Sequence, residues 1–353
     1  AGCADSDASR AAGWKGAAPT AHWQLPRPGP PPAAAGSPAP AVSGVPPTYG
    51  AGDVVDIAYD PEQRVLYTSS RTGSVVEYDL RSHGKLRDWS LGSVLSGIDL
   101  SPDRRTLLIA AATATANAYV HRIDLASGSS SKLLLSGLAG QTYSVAFVDA
   151  DRALVSVVGS GASAPMPLYM LWVADGQTEA REISGAYALL VRSADRSVVA
   201  YAQTGSNAFG YYDIAADRFL EGRRDATLVA QWIAVNRDGT QLALLSNDRL
   251  LIADRDGAPR NTLAKNAGLQ PVAAAFDPAG EVGFIAWGSS NGLPGQIELF
   301  SASFSERMAV LDANLPQLEA GTRGYGGRIE ITDDGRYLFA ITSRGVLAYP
   351  LAP

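Results

Sequence analysis

The sequence predicts an all-β fold, a seven-bladed β-propeller with a Pro-rich extended arm at its N-terminus. Three observations predict it. Short runs of alternating apolar and polar residues follow one another along most of the chain, with no helical periodicity between them. A turn motif recurs seven times, at spacings of 41 to 55 residues. The last repeat reaches the end of the chain after three strands, which is typical of a ring closed by a strand from elsewhere.

The N-terminal arm, residues 1–50, differs in composition from the rest of the chain. Ala, Gly, Ser and Pro dominate it, and nine prolines lie between Pro26 and Pro47. Proline has no backbone N–H and a fixed φ, so this segment favours an extended polyproline-like conformation over a helix or a ladder. We therefore expect residues 1–50 to form an arm and residues 51–353 to form the propeller.

The recurring turn follows the first strand of each predicted unit. It begins with Asp, Ser, Asn or Thr, whose side chain can bond the backbone two residues on. Several turns continue with Pro or Gly at positions that suit them. The seven turns are Asp60-Pro61-Glu62, Ser101-Pro102-Asp103, Asp149-Ala150-Asp151, Ser193-Ala194-Asp195, Asn236-Arg237-Asp238-Gly239, Asp277-Pro278-Ala279-Gly280 and Thr332-Asp333-Asp334-Gly335. Seven turns predict seven blades.

Each unit contains four short strands in about 40 residues, as one propeller blade requires. The predicted strands of the first unit are 54–59, 65–69, 74–79 and 86–91, and those of the second are 97–100, 106–111, 119–124 and 132–135. The last unit offers only 328–331, 337–342 and 346–351. We expect about residues 20–26 to supply its fourth strand, because His22-Trp23-Gln24-Leu25 echoes Asp88-Trp89-Ser90-Leu91 of the first unit.

Composition excludes several classes of protein. The formal charge is −6 and no basic run occurs that could neutralise a row of phosphates, so nucleic acid is not expected as a partner. No stretch approaches the roughly 18 consecutive apolar residues of a membrane-spanning helix. The single cysteine, Cys3, cannot staple the fold with a disulfide or hold a structural zinc with others.

The first residues give the only indication of location. Ala1-Gly2-Cys3 has the form of the end of a bacterial lipobox, in which a diacylglycerol is attached to the cysteine. The alternative is an unmodified thiol near a processing boundary. Together with the small-residue, Pro-rich leader, this segment predicts an exported bacterial protein that is periplasmic, anchored to the outer membrane through Cys3, or extracellular.

The second repeat resembles a known propeller family. Residues 96–110, with Asp99-Leu100-Ser101-Pro102-Asp103 at their centre, resemble the repeat core of YVTN and lactonase-like propellers. Gly73-Ser74-Val75-Val76-Glu77-Tyr78-Asp79 is similar to the next part of that repeat. The resemblance covers residues 51–353 loosely and implies the fold. It also implies an alternative function, a lactonase-like hydrolase with histidines, arginines, asparagines and carboxylates in the central funnel.

Catalytic motifs are not found in the sequence. Only His22, His83 and His121 occur, one in the arm and two in separate units, and most carboxylates lie in the turns. No nucleophile elbow, phosphate-binding glycine loop or haem signature is present. We therefore predict no catalytic residues, no metal and no cofactor, and give the three histidines structural or exposed roles.

Binding is expected at one rim of the ring. The loops before the innermost strands and the loops joining the two middle strands reach the same face, and loops on a rigid scaffold commonly carry recognition. The candidate rim residues are Asp53, Arg71, Asn117, Tyr143, Tyr187, Asn207, Gln231, Trp232, Asn291 and Arg344. Aromatic and amide groups there suit a glycan or an extended peptide, although packing between blades is the favoured interpretation of Tyr143, Tyr187 and Trp232.

The leading hypothesis is therefore a non-enzymatic exported propeller that binds or scaffolds a protein or polysaccharide partner in the cell envelope or outside the cell. The hydrolase implied by the resemblance is one alternative. A second alternative is a subunit of an extracellular or outer-membrane assembly that uses the N-terminal arm as its adhesive element.

Overall fold

The computed structural model describes residues 46–159, 166–184, 187–203, 208–220, 223–224, 230–246, 249–264, 269–289, 294–316 and 329–351. In these ranges the regular secondary structure is entirely β-strand. Among the same residues no helix is long and apolar enough to cross a membrane. The first strand, β1 (Thr48–Tyr49), belongs to the last of seven antiparallel sheets. The fold is an all-β seven-bladed propeller, as predicted.

Blades 1 to 3 each consist of four consecutive strands, numbered outward from the channel. Blade 1 contains β2 (Val54–Asp60), β3 (Val65–Ser70), β4 (Ser74–Asp79) and β5 (Gly84–Ser90). Blade 2 contains β6 (Leu95–Leu100), β7 (Thr106–Ala111), β8 (Tyr119–Asp124) and β9 (Ser130–Leu134). Blade 3 contains β10 (Gln141–Phe147), β11 (Arg152–Val158), β12 (Pro167–Trp172) and β13 (Thr178–Ser184). The eight strands predicted for the first two units agree with these to within two residues at each end.

Blades 4 to 6 follow the same order, with the outer strand of blade 4 in two short pieces. Blade 4 contains β14 (Ala188–Arg192), β15 (Val198–Gln203), β16 (Ala208–Asp213), β17 (Arg218–Phe219) and β18 (Arg223–Arg224). Blade 5 contains β19 (Trp232–Val235), β20 (Gln241–Leu245), β21 (Arg249–Asp254) and β22 (Pro259–Ala264). Blade 6 contains β23 (Leu269–Phe276), β24 (Val282–Ser289), β25 (Gly295–Ser301) and β26 (Arg307–Leu315).

Blade 7 is built from both ends of the propeller. It contains β27 (Ile329–Ile331), β28 (Tyr337–Thr342) and β29 (Gly345–Pro350), and β1 pairs with β29 as its fourth strand. Thr48 lies opposite Leu347, and the amide of Ala348 donates to the carbonyl of Pro47 at 3.1 Å. The N-terminal side of the chain thus supplies the missing strand, but the position is taken by Thr48–Tyr49. The segment predicted for it, residues 20–26, lies outside the described residues.

The recurring turns use the hydrogen bonds that their first residues predict. Asp60 Oδ1 accepts from the amide of Glu62 at 2.9 Å, Ser101 Oγ from that of Thr106 at 2.9 Å, and Thr332 Oγ1 from that of Tyr337 at 3.1 Å. Because these bonds are local, each turn fixes where its blade's second strand begins. All seven turns lie at one face of the ring, called here the turn face.

The fourth turn residue adopts a left-handed conformation in five blades. Glycine occupies this position at Gly239, Gly280 and Gly335, with φ of 69°, 76° and 70°. Arginine occupies it at Arg104 and Arg196, with φ of 58° and 61°. A side chain is disfavoured at such φ values, so the two arginines hold a conformation in which glycine costs less.

The hydrophobic core lies between blades. One cluster joins Val75 and Trp89 of blade 1 to Ile98 and Leu107 of blade 2, all buried. The first strands of consecutive blades are in contact around the ring, and β2 contacts β28 where the ring closes. These first strands line a central channel.

Candidate functional site

The rim face, opposite the turn face, carries the loops before the first strands and the hairpins between the second and third strands. At blade 1 these two loops are bonded together: Thr72 Oγ1 donates to Asp53 Oδ2 at 2.5 Å and the amide of Arg71 donates to the carbonyl of Asp53 at 3.0 Å. Ser343 and Arg344 of blade 7 lie against Gly52, where an added Cβ would come within 2.1 Å of the Ser343 carbonyl oxygen. The topology therefore brings Asp53, Arg71 and Arg344 together, as predicted.

Several of the predicted rim side chains are open to solvent. Arg71, Asn117, Gln231 and Arg344 are exposed, and Asp53 is half-buried. An apolar side chain that the sequence analysis did not single out, Val94, lies at the start of blade 2 and is 47% exposed. Its carbonyl accepts from the amide of Ala112 at 2.8 Å, which places it beside the loop that carries Asn117.

The aromatic residues of the predicted rim need a correction. Tyr143 is 4% exposed and Trp232 is 8% exposed, so neither ring offers a face to a partner at the rim. Tyr143 packs edge-on against half-buried Tyr187, with ring centroids 5.2 Å apart, and Trp232 faces the central channel. These aromatic side chains serve packing, because burying a ring stabilises the joint between first strands more than exposing it would.

Three predicted site residues lie outside the described residues, namely Cys3, Asn207 and Asn291. Of the histidines, His83 is exposed and its Nδ1 lies 2.5 Å from the Tyr49 hydroxyl. His121 is buried and its Nε2 lies 2.7 Å from Ser93 Oγ. Across the described ranges, no group of three or more His, Cys, Asp or Glu side chains is placed to hold a metal ion.

A cavity of about 130 Å³ lies in the channel, toward the turn face. All seven first strands or their turns contribute to its walls. Ile57, Ile98 and Ile233 line it, as does Asp56, whose carboxylate is bonded to two backbone amides. Charged residues in the turns, or within two residues of them, line its mouth. The mouth carries Asp99, Arg192, Arg196, Arg237, Glu330 and Asp333.

Two of these charged groups are firmly bonded. Asp99 Oδ2 accepts from Arg192 Nη1 at 2.8 Å and from the amide of Phe147 at 2.7 Å. The Asp99 and Arg192 side chains are 17% and 14% exposed, so this ion pair is largely shielded from water. It ties the first strand of blade 2 to those of blades 3 and 4.

Arg196 and Asp333 are held less completely. Arg196 Nη1 is buried and has no hydrogen-bond partner among the described residues. Burial, and then repulsion from Arg192, lowers the pKa of the Arg196 guanidinium. Burial in the channel mouth raises the pKa of the Asp333 carboxyl, against the attraction of Arg192 and Arg196. Arg196 thus has a buried nitrogen that the mouth desolvates without satisfying, whereas Asp333 lies at the exposed side of the same mouth.

Sequence reasoning missed this mouth because it treated the turns as blade boundaries only. The sequence did contain a signal, namely charged residues at turn positions where the turn itself does not require a charge. Arg196 replaces the glycine of later repeats, and Arg237 and Asp333 follow the first turn residue of blades 5 and 7. Since all turns lie at one end of the channel, these three side chains had to converge.

Comparisons with known proteins support the fold but do not identify the chemistry of the site. No protein-family model matches the chain, and no curated protein matches it. The resemblance to YVTN and lactonase-like repeats therefore stays a prediction. By fold, 1733 chains of solved structures match, so this architecture alone does not discriminate between functions. One of them is the β-propeller domain of Cps50 (Swd1) from Myceliophteria thermophila, with a TM-score of 0.63 and 13% identity, covering 88% of this chain and 99% of that one.

Proposed function

We propose that this chain is a non-enzymatic binding or scaffolding propeller that holds a protein or polysaccharide partner on its rim face. Propellers commonly serve as protein-binding scaffolds. The observation that carries the proposal for this chain is an arc of exposed side chains across blades 7, 1 and 2, made of Arg344, Arg71, Val94 and Asn117. The loops of blades 1 and 2 that carry it are held by backbone hydrogen bonds, from Arg71 to Asp53 and from Ala112 to Val94, and the Arg344 loop lies against Gly52.

The chemistry of the arc suits a polymer with acidic or hydroxyl groups. Arg71 and Arg344 provide two guanidinium groups on adjacent blades, which bind carboxylates and other oxyanions in a forked geometry. Asn117 adds an amide that can donate and accept, and Val94 adds an apolar contact. Such a mixture of one apolar anchor and surrounding polar groups is common in interfaces.

The scaffold beneath the arc supports this use. Asp53 is bonded to both Thr72 and Arg71, and Tyr49 of blade 7 contacts Tyr78 of blade 1 with ring centroids 5.3 Å apart. Loops held in this way are ordered before a partner arrives, which lowers the entropic cost of binding.

The proposed location is the bacterial cell envelope or the outside of the cell. Its support is the sequence of the first three residues and the Pro-rich leader. Mass spectrometry of the native N-terminal peptide tests it: we expect a diacylglycerol on Cys3, or a cleaved and secreted terminus. A native peptide that is unmodified and recovered from the cytoplasm would contradict export.

The binding proposal is tested by charge reversal on the two faces. The double variant Arg71→Glu, Arg344→Glu and a control double variant on the turn face, Arg64→Glu, Arg105→Glu, carry the same change in net charge. Photo-crosslinking from position 117 in envelope extracts, together with binding to a panel of acidic polysaccharides, gives the readout. We expect the rim variant to lose about tenfold or more in binding and the control to keep it.

Equal loss in both double variants would mean that net charge, and not the arc, governs binding. Hydrolysis of lactones by the native protein that survives the rim variant but not Asp99→Ala would favour the hydrolase alternative. Partner binding that requires only residues 1–47 would favour the assembly subunit.

A further inference from the structure

We propose that the mouth of the channel at the turn face binds a phosphate group, with Arg196 and Arg237 on its oxygens and Asp333 accepting a hydrogen bond from its protonated oxygen. This site lies at the face opposite the rim. It is therefore a function separate from partner binding.

The two arginines belong to adjoining turns. The amide of Asp195, next to Arg196, donates to the carbonyl of Arg237 at 3.0 Å, so the turns of blades 4 and 5 touch. Both side chains line the same cavity. Arg192 lines it too, but its Nη1 is already engaged by Asp99 at 2.8 Å. Arg196 and Arg237 are the guanidinium groups left to hold an anion at this mouth.

Arg196 has an unused donor at the site. Its Nη1 is buried, and no acceptor among the described residues bonds to it. A buried cationic donor without an acceptor destabilises the protein, because it has lost water and gained nothing in exchange. An oxyanion in the cavity would supply the acceptor and would offset the repulsion between Arg196 and Arg192.

The comparison with Arg104 separates a structural arginine from a binding one. Both occupy the left-handed position that glycine fills in blades 5 to 7. The guanidinium of Arg104 forms an ion pair with Glu62, with Nη2 2.7 Å from Oε2. Arg196 holds the same disfavoured backbone conformation, and its buried Nη1 has no hydrogen-bond partner among the described residues. An unfavourable conformation of this kind persists at functional sites.

The size and charge of the mouth select the ligand. A cavity of about 130 Å³ is smaller than the roughly 300–1,000 Å³ of pockets for drug-sized molecules, so it takes one small group. Asp99, Glu330 and Asp333 also face the mouth, and a fully ionised oxyanion would be repelled by Asp333. A phosphate carrying a proton can donate to that carboxylate, whereas sulfate at neutral pH cannot.

The test is titration calorimetry of the full chain with inorganic phosphate and with sulfate, at constant ionic strength. We expect saturable phosphate binding and at least tenfold weaker sulfate binding. A phosphomonoester such as glycerol 3-phosphate is titrated in parallel: tighter binding than inorganic phosphate indicates an esterified ligand, and weaker binding indicates the free ion. Absence of phosphate binding, or equal binding of phosphate and sulfate, would overturn the proposal.

Matched variants assign the binding to residues. Arg196→Gly and Arg104→Gly place glycine at equivalent positions, where Gly239, Gly280 and Gly335 show that the turn accepts it. We expect Arg196→Gly to weaken phosphate binding about tenfold or more, and Arg104→Gly to leave it within about twofold. Asp333→Asn removes the repulsion, so sulfate should then bind about as tightly as phosphate. Equal weakening by the two glycine variants would overturn the assignment to Arg196.

Discussion

Neighbouring blades are joined both beside the channel and at the outer surface, and these two kinds of joint differ in how far they exclude water. Beside the channel, Asp56 Oδ2 accepts from the amide of Ile98 in the next blade at 3.0 Å. In the same way, the Asp99 carboxylate of blade 2 accepts from an amide of the first strand of blade 3, and Ser144 Oγ of blade 3 accepts from one of blade 4. At the outer surface, Arg152 Nη1 lies 2.8 Å from Asp217 Oδ1, with side chains 27% and 44% exposed.

The length of a hydrogen bond alone therefore does not determine how much the joint stabilises the ring. The bond lengths are similar, but Asp56 is only 6% exposed. If its carboxylate loses an amide donor, water cannot take the place of that donor. The partners of an exposed ion pair return to water at little cost, and salt screens them further. Burial should therefore decide which joints hold the ring together, whatever their distance from the channel.

Tyr49→Ala should have the largest effect, although this joint lies far from the channel. Tyr49 is 2% exposed, packs on Tyr78 and bonds His83, so truncation should lower the free energy of unfolding by about 3 to 5 kcal/mol. Urea denaturation measures it. Thr48→Ala, at the exposed residue of the same two-residue strand, is the control and should change little. Equal effects would mean that pairing with β29, and not burial of the ring, closes blade 7.

Asp56→Asn should come next, at about 3 kcal/mol. Asp56 accepts from the amides of Ile57 at 2.9 Å and Ile98 at 3.0 Å, and an asparagine would replace one acceptor by a donor. Chemical denaturation is compared with that of Asp88→Asn, whose side chain is 60% exposed and pairs only with exposed Lys85. A loss for Asp56→Asn no larger than for Asp88→Asn would remove the distinction between buried and exposed joints.

His121 makes the buried bond between blade 2 and Ser93, in the connection from blade 1, sensitive to acid. Burial, and then the charge of Lys132, lowers its pKa from 6.5 to about 4. The folded state therefore binds the proton less readily than the unfolded chain. Its stability contribution is complete above about pH 6.5 and is lost as the pH falls toward about 4, by roughly 2 to 3 kcal/mol. The stability difference between wild type and His121→Gln, followed by urea titration across this range, should shrink as the pH falls; a constant difference would contradict the shift.

Asp217→Asn should have the smallest effect, below about 1 kcal/mol, because Asp217 is 44% exposed and its ion pair with Arg152 is screened. The buried hydroxyl of Tyr212, which donates to Asp217, can donate to the amide oxygen of asparagine instead. Asparagine also tolerates the left-handed conformation of this residue, whose φ is 52°. Thermal melts at low and high salt provide the check, and the small loss should diminish further at high salt. A loss comparable to that of Asp56→Asn would show that exposed joints matter as much as buried ones.

The sequence predicted the blades well because their signals are local. A turn such as Ser101-Pro102-Asp103 bonds its own backbone, and an alternating strand such as Thr106–Ala111 needs only its neighbours to be recognised. The strand that closes blade 7 was harder to predict. Trp23 and Leu25 are stronger apolar signals than Thr48 and Tyr49, yet a strand of two residues suffices when Tyr49 is buried between blades.

The candidate sites were predicted less completely, because they depend on side-chain direction. The topology was enough to bring Asp53, Arg71 and Arg344 to one face. It could not tell that Tyr143 and Trp232 are buried or that Arg196 faces the channel. An arginine at a glycine position was visible in the sequence, but its meaning required the contrast with the ion-paired Arg104.

The pairing of β1 with β29 leaves the two ends of the ring side by side in one blade. Pro47 bonds Ala348, and β29 ends only two residues later at Pro350, about 7 Å further along the strand. A short peptide could bridge that gap, and the chain could then be opened at a different hairpin without removing any strand from its ladder. The order in which blades are encoded is thus separable from the order in which they surround the channel, and the protein is suited to circular permutation.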